Sequence, residues 1–158
     1  MRCMRRWFTP LLPVILLISA CQPLLIPAAG YPSLELRGHV SGSALAVAVQ
    51  GDYAYLGFSY ELVVLDIADR SNPQWVTSLP IPTNDIALAG DYAYVVGREG
   101  FTVVDISDPP QPQVRGRLTS KETAVSVIVA EGDAYFIENR RLYQVDIADP
   151  TQPQVKST

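Results

Sequence analysis

An all-β fold assembled from propeller-type blades is predicted by three features of this sequence. A segment recurs three times with a period near 40 residues, each copy holds four short apolar stretches, and turn-forming residues separate those stretches. The copies read "VAVQGDYAYLGFSYELVVLDIADRSNPQWVTSL", "IALAGDYAYVVGREGFTVVDISDPPQPQVRGRL" and "VIVAEGDAYFIENRRLYQVDIADPTQPQVKST". Three landmarks keep step: Ala54, Ala93 and Ala134; Asp66, Asp105 and Asp146; Pro73, Pro112 and Pro153. Each set is spaced by 39 and then 41 residues, so the period belongs to the chain and not to one motif.

Within the second copy the expected strands are Asp85–Ala89, Ala93–Gly97, Phe101–Ile106 and Gln113–Leu118. Gly90-Asp91, the Gly97 to Gly100 stretch and the Pro109–Pro112 region supply the turns between them. Four short antiparallel strands make one blade. The third stretch of a copy, such as Leu62 to Leu65 or Phe101 to Val104, is apolar or nearly so on both faces, which suits a sheet covered by neighbours on both sides. Asp66, Asp105 and Asp146 end these third strands, where a carboxylate accepts hydrogen bonds from the following amides and fixes the turn. The prolines that follow donate nothing to a ladder and open the outermost strand, where an edge tolerates them.

The phrases "ELVVLDIADRSNP", "GFTVVDISDPPQP" and "RLYQVDIADPTQP", each preceded by an "AY" strand, resemble the LVIVD repeat of bacterial and archaeal surface proteins. The resemblance covers about residues 34–158 and implies a β-propeller on an exported protein, with no common activity and no catalytic residues to carry over. The third copy departs locally, with Tyr143-Gln144 in place of aliphatics and "EGD" in place of the "GDY" turn.

Upstream of the first copy, "LELRGHV" aligns with "PQVRGRL" and reads as a detached fourth strand, while the last copy stops at "PQVKST" with its own fourth strand barely begun. The blades divide at about 34–79, 80–118 and 119–158. Closed propellers use four to eight blades, so about three make an incomplete or open one. Three explanations stand: missing C-terminal blades of a longer chain, a homo-oligomer in which two copies give six blades, or an open array with adhesive edges.

The N-terminus is of a different kind. "MRCMRRWFTPLLPVILLISAC" carries Arg2, Arg5 and Arg6 and then 14 uncharged residues, Trp7 to Ala20, a basic and then apolar pattern of signal-peptide length. Pro10 and Pro13 interrupt it, and a spanning helix needs about 20 apolar residues, so a permanent membrane span is the weaker reading. It ends in Ile18-Ser19-Ala20-Cys21, which resembles the lipobox of bacterial lipoproteins. The resemblance implies that Cys21 becomes the first mature residue and carries a diacylglyceryl thioether, since a thiolate is the nucleophile that takes the lipid. An ordinary signal peptide cut near Ala29 is the alternative. The chain thus divides into a signal peptide at 1–20, a proline-rich tether at 21–33 and the repeats at 34–158. With Cys3 in the leader and Cys21 lipidated, no disulfide is available to the mature protein.

After Cys21, nine basic residues face 16 acidic ones, a charge of about −7 that argues against nucleic acid and against a polybasic membrane patch. His39 is the only histidine and aligns with Arg117, which reads as an exposed strand residue and not as a catalytic base. The sequence has no Gly-x-Ser-x-Gly elbow and no phosphate-cradling loop. Calcium is the one cofactor weighed, because Asp66/Asp69, Asp105/Asp108 and Asp146/Asp149 repeat an Asp-x-x-Asp pattern. Two acids beside prolines supply few of the six to eight oxygens calcium takes, so turn capping is favoured and no cofactor is expected. Tyr53 and Tyr92 sit at hairpin turns, where rings can stack on sugars, whereas Tyr55, Tyr94, Tyr135 and Trp75 are read as core. The resulting expectation is a non-enzymatic scaffold, held at the cell envelope by lipid on Cys21 and binding a protein or polysaccharide ligand. The alternative is a fragment of a larger envelope propeller enzyme whose site lies in other blades.

Overall fold

The structure, a computed structural model, describes residues 43–158. Its secondary structure there is twelve β-strands. Blade 1 contains β1 (Ala46–Gln50), β2 (Tyr53–Gly57), β3 (Leu62–Asp66) and β4 (Gln74–Leu79). Blade 2 contains β5 (Asp85–Ala89), β6 (Tyr92–Gly97), β7 (Gly100–Asp105) and β8 (Gln113–Thr119). Blade 3 contains β9 (Ala124–Ala130), β10 (Asp133–Glu138), β11 (Arg141–Asp146) and β12 (Gln154–Ser157). Each blade is one antiparallel four-stranded sheet in chain order, as the repeat predicts. In blade 2 the strand bounds differ from the expected ones by a residue at most. The last blade is fuller than expected, because the four residues Gln154–Ser157 suffice to pair with β11 and complete its sheet.

The hairpins use the turns their residues permit. Gly51 and Gly90 take φ of 60° and 57° as first residues of two-residue loops, the Gly-first pattern of a type II′ turn. In blade 3 the loop is Glu131-Gly132, and both residues have positive φ, 53° and 87°, as a type I′ turn requires. The change from "GDY" to "EGD" is therefore a change of turn type at constant loop length.

Alternation along the strands gives each blade two apolar faces. The front of blade 1, with Tyr55, Leu62 and Val64, packs on the back of blade 2, with Ile86, Ala93, Val95, Val104 and Ile106. The front of blade 2, with Tyr94, Val96, Phe101 and Val103, packs in the same way on the back of blade 3, with Val127, Ala134, Phe136, Val145 and Ile147. Phe101 and Phe136 stack across that boundary with ring centroids 5.6 Å apart, and the stack continues to Tyr94 on one side and Tyr143 on the other. Neighbouring blades meet along their inner strands, β1 against β5 and β5 and β6 against β9.

The boundary between blades 2 and 3 is also pinned by polar groups. Asp85 accepts hydrogen bonds from the Ser126 hydroxyl at 2.8 Å and the Val127 amide at 2.9 Å, and Asn84 Nδ2 donates to the Ala124 carbonyl at 2.9 Å. Farther out, Gly116 on β8 leaves room for the corner of blade 3: a Cβ there would lie 2.5 Å from the Pro150 carbonyl oxygen and 2.6 Å from Pro153 Cδ.

Candidate functional site

The features that repeat with chemistry in them are the corners between the third and fourth strands of each blade. Asp66, Asp105 and Asp146 close their strands, and one carboxylate oxygen of each accepts the amide two residues on: Ala68 at 2.8 Å, Ser107 at 3.0 Å and Ala148 at 3.0 Å. Three residues later a second acid organises the rest of the corner, its carbonyl accepting the amide of Asn72, Gln111 or Gln152. Asp69 also accepts the amide and hydroxyl of Ser71, and Asp149 those of Thr151, so both carboxyls titrate below the usual range, led by the hydroxyl bond. In blade 2 the residue two after Asp108 is Pro110, which has no N–H to give. The Asp108 side chain instead receives Gln111 Nε2 at 3.3 Å.

A bulge gives each corner its own electrostatics. All three pairings of third with fourth strand slip register by one residue at the same place, and the extra residues are Val76, Arg115 and Lys156. Arg115 donates from Nε and Nη2 to Oδ2 of Asp105 at 3.0 and 2.7 Å. Asp105 is held down to about 2, by the Ser107 hydroxyl first, then the Ser107 amide and Arg115. Lys156 in blade 3 reaches Asp133 Oδ1 at 2.6 Å and Asp146 Oδ2 at 3.3 Å, which raises its own pKa and, with Gln144, lowers that of Asp133. Val76 brings no charge and packs against the core between blades 1 and 2.

The acids of the Asp-x-x-Asp pattern thus bond donors of their own corners, and among the described residues no group of three or more His, Cys, Asp or Glu side chains is placed to hold a metal ion. A shallow concavity at the blade 1 corner is lined by Ala68, Asp69, Arg70 and Ser71. Cys21 and His39 lie outside the described residues. Arg117, the residue His39 aligns with, is exposed and pairs with Glu99 at 3.4 Å.

The aromatic residues divide differently from the sequence reading. Tyr55 and Tyr94 are buried, and burial raises their phenols above the ordinary value. Tyr53 and Tyr92, placed at turns and considered for sugar stacking, lie half-buried against the cores between blades. Trp75, read as core, is 57% exposed. Its ring lies on the outermost strand of blade 1 opposite Leu65, and its counterparts Val114 and Val155 on the outermost strands of the other two blades are exposed as well. Sequence reasoning missed Asp85, Asn84 and the bulge cations, whose roles depend on contacts across blades or on strand register.

Three stacked four-stranded blades with repeated acid-capped corners define a β-propeller-like repeat protein. The chain belongs to the LVIVD repeat family, whose model matches residues 41–79, 82–120 and 123–158. A comparison with curated proteins returns no match.

Proposed function

We propose that this LVIVD repeat protein is exported, anchored through lipid on Cys21, and serves at the cell envelope as a non-enzymatic scaffold that binds a protein or polysaccharide. The observation that carries the scaffold reading is the use of the repeated acids. Asp66, Asp69, Asp105, Asp146 and Asp149 each accept backbone amides of their own corner, a structural task that holds loops in place. The anchor rests on the basic and apolar leader ending in Ile18-Ser19-Ala20-Cys21, and the proline-rich composition after it suits a tether.

The test is fractionation of cells producing the full chain or its Cys21→Ala variant. The wild type is expected in the membrane fraction with a lipid mass increment, and the variant is expected unprocessed or released with its blades intact. Membrane attachment unchanged by the substitution refutes the anchor. Hydrolysis of an envelope substrate by the purified wild type, abolished by one point substitution in a corner, refutes the scaffold.

A further inference from the structure

The inner strands of the three blades run in the same direction, which places like loops at like ends. At one end Gln50 Nε2, at the close of β1, donates to the Gly90 carbonyl just past β5 at 3.1 Å. At the other, Asn84 and Asp85 at the start of β5 reach Ala124 and Ser126 at the start of β9. Loops between first and second strands therefore share one end with the corners between third and fourth. Loops between second and third strands share the other end with the links between blades.

Charge is divided between these ends. Of the 15 acidic residues described, ten belong to the first end against three cations, and two of those cations, Arg115 and Lys156, are bound to aspartates. The second end holds the remaining five acids and five cations, so the net −7 of the described residues is that of the first end alone. At the second end the acids are mostly paired or covered: Glu99 meets Arg117 at 3.4 Å, Asp85 accepts Ser126 and the Val127 amide, Glu138 is buried and Glu61 half-buried. Arg98, Lys121, Arg140 and Arg141 are exposed and form no ion pair among the described residues, which leaves Glu122 as the one exposed acid there without a cation.

These four cations stand on neighbouring loops. Arg98 lies in the β6–β7 hairpin, Arg140 in the β10–β11 hairpin with Arg141 at its edge, and Lys121 follows Ser120, whose amide donates to the Glu99 carbonyl of the first hairpin at 3.3 Å. Both hairpins are two-residue loops, so they rise little above their sheets and leave this end shallow. The matching β2–β3 hairpin of blade 1 presents Tyr60, 68% exposed. Cations beside an exposed tyrosine suit a flat anionic surface with an interfacial layer: phosphates draw the cations, and a phenol ring with its apolar body and polar tip settles at headgroup depth.

We infer that this end of the blades is a docking face for an anionic lipid bilayer, with Arg98, Lys121, Arg140 and Arg141 on the phosphates and Tyr60 among the headgroups. The acidic end points away. Strands of about five or six residues separate the two ends by about 17–20 Å, roughly twice the screening length at physiological salt, so the near face governs the contact and not the charge of the whole chain. The face deepens the proposed anchoring by setting which end of the blades meets the membrane, and its test is separable from that of the anchor.

The full chain made in cells is extracted in mild detergent and reconstituted with phosphatidylcholine vesicles, with or without phosphatidylglycerol, and amide hydrogen exchange is read loop by loop. Flotation with the neutral vesicles reports the anchor alone. On the anionic vesicles slower exchange is expected at residues 58–61, 98–99 and 139–140, with no change at 51–52, 90–91 and 131–132, and added salt is expected to remove the difference. Arg140→Glu/Arg141→Glu and, separately, Arg98→Glu/Lys121→Glu are expected to abolish the slowing while keeping the β-sheet circular dichroism of the parent, since all four side chains are exposed. Arg70→Glu, at the acidic end, is expected to keep it. Should the chain fail to float with neutral vesicles, the anchor falls, and salt-sensitive capture by anionic vesicles that both double variants lose still supports this face. Equal exchange on the two kinds of vesicle, slowing at the acidic end, or slowing that survives both double variants overturns it. Slowing by soluble dextran sulfate and not by anionic vesicles assigns these cations to a polyanion and overturns it as well.

Discussion

Arg115 reaches Asp105 from the extra residue of the β7–β8 bulge, its Nη2 lying 2.7 Å from Oδ2 while Oδ1 of the same carboxylate caps the Ser107 amide. Two jobs are divided between two oxygens, and both need the carboxylate charged.

The pH dependence follows from that division. Because the folded protein holds Asp105 down to about 2 from an ordinary 3.8, its contribution to stability is present above pH 3.8 and is lost as pH falls through 2. Asp105→Ala is expected to cost about 1 kcal/mol at neutral pH. The gap between variant and wild type narrows between pH 4 and 2, as urea midpoints at several pH values will show. A constant gap would mean that the carboxylate charge is not what the corner uses.

The second acids should rank by the donors they have. Asp69→Ala and Asp149→Ala each remove a side-chain acceptor for both an amide and a hydroxyl, whereas Asp108→Ala removes only a 3.3 Å bond from Gln111. Thermal melts are expected to show a smaller loss for Asp108→Ala than for the other two. Equal losses would shift the account from side-chain capping to the backbone turn that all three corners share.

Phe101 is 0% exposed and stacks with rings on both sides of a blade boundary. Phe101→Ala is expected to destabilise the fold by about 3–5 kcal/mol, through lost burial and the cavity left behind. Leu142→Ala, at the same register position in blade 3, is expected to cost the single chain far less, because that side chain is 57% exposed. Chemical denaturation of the two variants compares them directly.

The β10–β11 loop holds Asn139 and Arg140 at φ of 46° and 64°, a type I′ turn with a long side chain where glycine is preferred. Arg140→Gly makes an Asn-Gly turn and is expected to raise stability by about 0.5–1 kcal/mol in urea titrations. A loss would show that the Arg140 side chain contributes more than its backbone costs.

The fold was legible because its signals are local and repeated. Strand-length apolar runs, two-residue hairpin loops that contain glycine and proline-led outer strands recur in phase, so an accidental match in one copy is checked by the other two. The capping geometry was legible for a related reason: an aspartate at a strand end followed by free amides has one near partner to choose. The register slip was not, because an added residue in an outer strand leaves no mark in composition and appears only when partners are paired. Trp75 was misjudged because apolar character does not tell whether a neighbour reaches the outermost strand. Asp85 was read only as part of a strand because its acceptors' partners, Ser126 and Val127, belong to the next repeat.

The bulge residue stands outside the hydrogen-bond ladder, so its identity is decoupled from the backbone that carries it. Valine, arginine and lysine occupy this place in Val76, Arg115 and Lys156 while the three sheets keep the same pairing scheme. The rim of each blade therefore behaves like a socket of fixed shape with an interchangeable fitting: its charge can drift from copy to copy as the repeats diverge, and the scaffold beneath stays the same.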